Sequence, residues 1–139
     1  MIELDNKTKL LIDEDILNII SSSLTDKNIE LIVTDNKEIQ EINKQYRGID
    51  KSTDVLSFPY EAMPMAPLGS IIISFEYVEL FANKLNHSTN DEFNLLFIHG
   101  LLHLLGYDHE VDNGEMREEE IKLIKKFNLP KSLIIRTQG

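Results

Sequence analysis

The chain has no cysteine. That excludes disulfide scaffolds and thiolate metal centres, and it suits a reducing cytosol, so a cytoplasmic protein is expected. Basic residues are scarce too: 14 lysines and arginines stand against 24 aspartates and glutamates, a formal net charge of −10. This reverses the usual electrostatic footprint of a nucleic-acid binder. Any polyanionic partner must be held by a local positive site or a metal, against the mean field. The opening stretch MIELDNKTKLLIDED lacks a basic region followed by an apolar run, so no signal peptide is expected. The longest apolar run carries histidines and is flanked by Asp91, Glu92 and Asp108, which argues against a membrane span. Repeats, low-complexity tracts and linkers are absent as well. At 139 residues the chain is long enough to close one core, so a single domain over 1–139 is expected.

What is present reads as strands and helices in alternation, then helices alone. Met1 to Leu4 suits a short strand, and Asp13 to Leu24 an amphipathic helix with Ile16, Leu17, Ile19 and Ile20 as its apolar set. IELIVT (29–34) is a β-branched strand. Asp35, with Glu38 at capping-box spacing, opens a helix that turns Ile39, Ile42 and Tyr46 to one face and ends near Gly48. DVLSF (54–58) and GSIIIS (69–74) are strands, joined by a connector stiffened by Pro59, Pro64 and Pro67. Phe75, Val78, Phe81, Ala82 and Leu85 mark a third helix. Thr89 and Glu92, spaced as a capping box, open a fourth that stops at Gly106. A last helix over 113–127 turns Met116, Ile121, Ile124 and Phe127 inward. The pattern predicts an α/β fold of α+β type: a small mixed four-stranded sheet with about five helices packed on it, the fourth helix central.

That fourth helix carries the chemistry. Three of the four histidines fall in FIHGLLHLLGYDH (97–109), the most apolar stretch of the chain. His99 and His103 are four apart and share a helix face, about 6 Å apart along the axis. Imidazoles so placed both reach one metal ion at roughly 2.0–2.1 Å. Gly106 lets the chain leave the helix, and His109 can swing back as a third ligand. The frame H-x-x-x-H-x-x-G-x-x-H is that of the metzincin metalloproteases, except that Gly100 stands where they carry glutamate. Burying three imidazoles without partners would cost roughly 1–3 kcal/mol for each unsatisfied group, which a metal avoids. Three histidines and an open position form the pattern of catalytic zinc. Asp108, beside a ligand, suits fixing a histidine tautomer. Gly100 is read as letting substrate approach the metal closely. His87 is expected at the surface, and Met116 in the core.

HGLLHLLGYDH (99–109) resembles the signature H-G-x-x-H-L-x-G-Y-D-H of the YbeY endoribonucleases, the rRNA maturation factors of bacteria. INKQYRGIDKSTDVLSFPYE (42–61) is similar to their L-N-x-x-Y-R-x-x-D-x-x-T-D-V-L-S-F-P segment, and PLGSIIIS (67–74) and Met116 with Glu120 agree as well. Two departures stand out: Ser70 where the family usually has aspartate, and Ser52 where it has proline. The resemblance implies a zinc-dependent, single-strand-specific endoribonuclease acting in small-subunit rRNA maturation and ribosome quality control. It implies His99, His103 and His109 as zinc ligands and Arg47 as a functional base in the cleft. Implied partners are single-stranded rRNA precursor, the ribosome or its proteins, and the GTPase Era. A guanidinium suits gripping a phosphate bidentately. Lys44 and Lys51 flank Arg47 as candidates for the local positive patch, and Lys44 and Gly100 join Arg47 as candidate substrate contacts. Two other readings stand beside this one: a metzincin-like metalloprotease, and a non-catalytic assembly factor whose zinc holds the fold.

Overall fold

The computed structural model describes residues 1–61, 63, 65–107 and 114–134. Along them run β1 (Ile2–Asn6), α1 (Glu14–Ser22), β2 (Ile29–Thr34), α2 (Asn36–Arg47), β3 (Val55–Pro59), β4 (Gly69–Ser74), α3 (Phe75–Leu85), α4 (Thr89–Leu104) and α5 (Glu115–Lys126). Residues 132–134 add a helical turn. The four strands form one sheet in the order β1-β2-β4-β3, with β3 antiparallel at an edge and the other neighbours parallel. The expected small mixed sheet is therefore the one found. Among the described residues no helix is long and apolar enough to cross a membrane.

β4 is buried at all six positions, as a strand covered on both faces must be. Its alternate residues feed two cores. Ile71 and Ile73 join Leu31, Val33, Leu17, Phe97 and Leu101 beneath α1 and α4, whereas Ile72 joins Leu56 and Ile39 beneath α2. α4 is the central helix expected: eleven of its sixteen residues are buried, so it is apolar on almost every side.

The boundaries differ from expectation where side chains intercept backbone groups. The N–H of Val55 is taken by the Asp54 carboxylate at 2.8 Å, so β3 begins one residue later than the sequence suggests. Asp35 caps α2 by accepting from the Glu38 N–H at 2.8 Å. The reciprocal half of the capping box is missing, because the Glu38 carboxylate binds Lys7 Nζ at 2.9 Å. Tyr46 is 67% exposed rather than buried with Ile39. Ile19, on α1, is likewise exposed.

The start of α4 holds a larger correction. Ser88, not Thr89, caps it, accepting from the Asp91 N–H at 3.1 Å. Glu92 is thereby free to turn inward, where its carboxylate meets His87 Nε2 at 2.8 Å. The His87 and Glu92 side chains are 3% and 0% exposed, so His87 is a buried partner and not a surface residue. Replacing one member withdraws a hydrogen bond from a buried group, a loss of about 1–3 kcal/mol. His87→Ala should therefore lower stability by that order in urea unfolding at neutral pH, while an exposed control such as Lys84→Ala stays within about 0.5 kcal/mol of the wild type.

Candidate metal centre and cleft

His99 and His103 project from successive turns of α4, and their Nε2 atoms converge to 3.2 Å. Two nitrogen ligands on a tetrahedral ion at 2.0–2.1 Å lie about 3.3 Å apart, so the pair already has the separation that a shared cation requires. The other ring nitrogens are engaged from behind. His99 Nδ1 lies 2.7 Å from Glu120 Oε1, and His103 Nδ1 lies 3.0 Å from the carbonyl oxygen of Tyr107. An ionised carboxylate and a carbonyl can only accept, which assigns the proton of each neutral ring to Nδ1. Each Nε2 then presents its lone pair toward the other. The donor set thus fits a borderline metal such as zinc, with the carboxylate–histidine support seen behind metal ligands generally.

The helix end supplies one of these supports. Gly106 has φ 102°, open to glycine and strained for other residues. Its N–H bonds the His103 carbonyl at 3.1 Å while the Tyr107 N–H bonds that of Leu102 at 3.0 Å. This is a Schellman closure. It folds Tyr107 back so that its own carbonyl meets the His103 ring. Glu120 comes from α5, where it is buried beside Met116. The sequence reading missed its position: a buried acid three residues before Leu123 on an amphipathic helix was the available signal. Asp108, expected to fix a tautomer, and His109, expected as the third ligand, lie outside the described residues. Among the described residues no three metal-binding side chains cluster, so the described half of the frame is the His99–His103 pair.

The pair opens on a cleft of about 640 Å³, walled by β3, the C-terminal turn of α2 and Tyr107. Arg47, the last residue of α2, lines it with Asp54 and Ser57. The turn after Arg47 is held by Asn43, whose Nδ2 donates to the Lys51 carbonyl at 2.9 Å and whose own carbonyl accepts from the Ile49 N–H. Ser57 is not poised as a nucleophile, since its Oγ donates to the Gly100 carbonyl at 2.9 Å. Lys44 is absent from the described cleft wall. It is exposed on α2, with its Nζ 3.9 Å from Asp50 Oδ2.

The chain matches the family described as Endoribonuclease YbeY over residues 2–128. The Endoribonuclease YbeY of Sulfurimonas denitrificans is 62% identical over 139 residues, covering 100% of both chains. That of Helicobacter pylori is 54% identical over 139 residues, covering 99% of each. Among solved structures, the solution structure of a Thermotoga maritima protein superposes with a TM-score of 0.62 at 32% identity, covering 91% of this chain and 89% of that one.

Gly100 is buried, and a Cβ built there would stand 2.9 Å from Ile71 Cγ2, 3.1 Å from Ser57 Oγ and 3.3 Å from Val55 Cγ2. The missing side chain therefore lets α4 approach the sheet. Ile71 is fully buried, so it has no room to yield. Gly100→Ala should cost about 1–3 kcal/mol by overpacking, more than the roughly 1 kcal/mol that alanine returns in helix propensity. A thermal melt should show a lower midpoint. A variant as stable as the wild type would refute the close-approach role.

Proposed function

The chain belongs to the YbeY endoribonuclease family, and from that premise we propose that it is a zinc-dependent endoribonuclease that cuts single-stranded RNA. One observation supports this above others: the convergent Nε2 atoms of His99 and His103 share a cleft wall with Arg47. His99, His103 and His109 would hold one zinc ion, which when bound supplies a Lewis acid for a phosphodiester. The protein's own groups do the rest. Arg47 grips non-bridging phosphate oxygens and offsets charge that develops on them during cleavage. Glu120 and the Tyr107 carbonyl keep both Nδ1 protons in place, so the two rings stay oriented with Nε2 toward the cleft. Gly100 places no carboxylate where the metalloproteases carry their base, and its close contact with the sheet leaves no space for one. That favours phosphodiester over peptide chemistry. The cellular setting we propose is small-subunit rRNA maturation and ribosome quality control in the cytoplasm. Ribosomal proteins and the GTPase Era would be its partners there, a setting that rests on the family resemblance alone.

Four measurements test this. Elemental analysis should find one zinc per chain, lost in His109→Ala. Cleavage of a labelled single-stranded RNA should stop with chelator and return with zinc, whereas a quenched peptide should stay intact throughout. Arg47→Ala should lower kcat by about 10²–10³, on the scale of removing one transition-state donor, with Tm unchanged. Glu120→Gln should weaken zinc binding about 10- to 100-fold in a competition titration with a chromophoric chelator. Chelator-sensitive peptide cleavage with uncut RNA would overturn the assignment.

A further inference from the structure

A second cavity of about 530 Å³ lies on the α2 side of β3, next to the histidine cleft. Tyr46, Phe58 and Pro59 line both, so the two are continuous across the end of the edge strand. The second cavity differs in character. None of its described lining residues carries a charge, although the chain as a whole stands at −10. Ile72 lies among its walls with Ser70 and Gln45, and two tyrosines stand at its rim. Tyr46 and Tyr60 are 67% and 42% exposed, well outside the core.

Both rings are nevertheless held. Tyr46 packs on Phe58 with ring centroids 5.7 Å apart and planes inclined by 61°. Tyr60 donates its hydroxyl to Glu30 Oε2 at 2.7 Å, and its N–H bonds the Leu68 carbonyl at 3.0 Å. Solvent-facing aromatic rings that are fixed in advance form a platform for flat apolar faces, at little cost in side-chain entropy. Tyr46 is also the neighbour in sequence of Arg47, the group that reaches for phosphate. A nucleotide whose phosphate lies against Arg47 can carry the base of an adjacent nucleotide over the Phe58–Pro59 ridge. Gln45 offers an amide that both donates and accepts toward a base edge.

We propose that this cavity is a subsite for one unpaired nucleobase of the RNA, flanking the phosphate in the histidine cleft and stacked on Tyr46 and Tyr60. The proposal rests on the endoribonuclease reading above. It gives that reading a physical source of strand selection, because bases in a duplex are already stacked and cannot enter. Ser70, where the family usually has aspartate, contributes no charge to the wall of this subsite.

The test uses a labelled single-stranded RNA with one cleavage position and the zinc-loaded full chain. The RNA is resynthesised with a single abasic nucleotide at each place around the cut. One abasic position should raise KM by about 5- to 150-fold, the range expected for losing one base–aromatic stack. Tyr60→Ala should raise KM for the intact RNA similarly, and the two losses should not add. Tyr60→Phe keeps the stacking face but loses the hydroxyl bond to Glu30, so it should raise KM less than Tyr60→Ala does; if Tyr60→Ala melts early, Tyr46→Ala, at a more exposed position, is read in the same way. If every abasic RNA is cut with the wild-type KM, the subsite is refuted and the endoribonuclease stands. If Tyr60→Ala leaves KM unchanged, the cavity serves something other than a base. If the wild type cuts no RNA at all, the underlying reading itself fails.

Discussion

The close approach of α4 to the edge of the sheet at Gly100 is the constraint from which the rest of the site follows. Without a Cβ there, the helix backbone comes near enough for Ser57 Oγ to reach the Gly100 carbonyl at 2.9 Å. That contact links a helix carbonyl to β3, the strand that lines the cleft. One residue earlier and three residues later on the same helix stand His99 and His103. Their height above β3, and so their distance from Arg47 across the cleft, is set by how deeply α4 seats. Leu101 and Ile71 pack in the same core and keep it seated, both fully buried. Glycine in a helix interior weakens the helix locally by about 1 kcal/mol. α4 tolerates this because its stability comes from tertiary packing on several sides rather than from intrinsic propensity.

The two imidazoles are oriented from different directions, one by the end of α4 and the other by α5. His103 depends on the stop of its own helix, since the Schellman turn at Gly106 is what brings the Tyr107 carbonyl within 3.0 Å of Nδ1. His99 depends on α5, because only the docking of Met116, Leu123 and Ile124 carries Glu120 to its Nδ1. A carboxylate that is only 4% exposed needs such a partner as much as the ring does. Each group therefore satisfies the other. The two imidazoles are thus set by the same packing that closes the core.

Much of this was legible in the residues. The strands IELIVT and GSIIIS carry β-branched runs bounded by turn residues, and both form with the expected bounds. The histidine helix and its glycine stop were equally clear, because helix periodicity and the left-handed C-terminal residue are local signals. What escaped was set by tertiary partners. Glu92 reads as half of a capping box, yet it turns inward because His87 waits for it. Tyr46 shares a helical face with Ile39 and Ile42 by spacing, yet it lies at the end of α2 where it lines the cleft and stays exposed. The packing of Gly100 on Ile71, Ser57 and Val55 was likewise hidden, because a sequence does not reveal which neighbours a missing Cβ would touch.

The negative charge of the chain, at first an argument against RNA, becomes intelligible once the two cavities are considered together. A basic surface would gain most of its affinity from phosphates, and phosphates are shared by single strands, duplexes and every other polyanion. A chain at −10 forgoes that attraction. Among the described residues that line the two cavities, what remains is the guanidinium of Arg47 and an aromatic groove beside it. Neither feature rewards a duplex, whose bases are occupied with one another while its dense backbone charge meets the acidic mean field. A flexible single strand can offer one phosphate and one free base at the required spacing and hold the remainder of its backbone away. If the chain selects single strands as proposed, its acidic charge would act as a filter, leaving local contacts in the cleft to decide which nucleic acid stays bound.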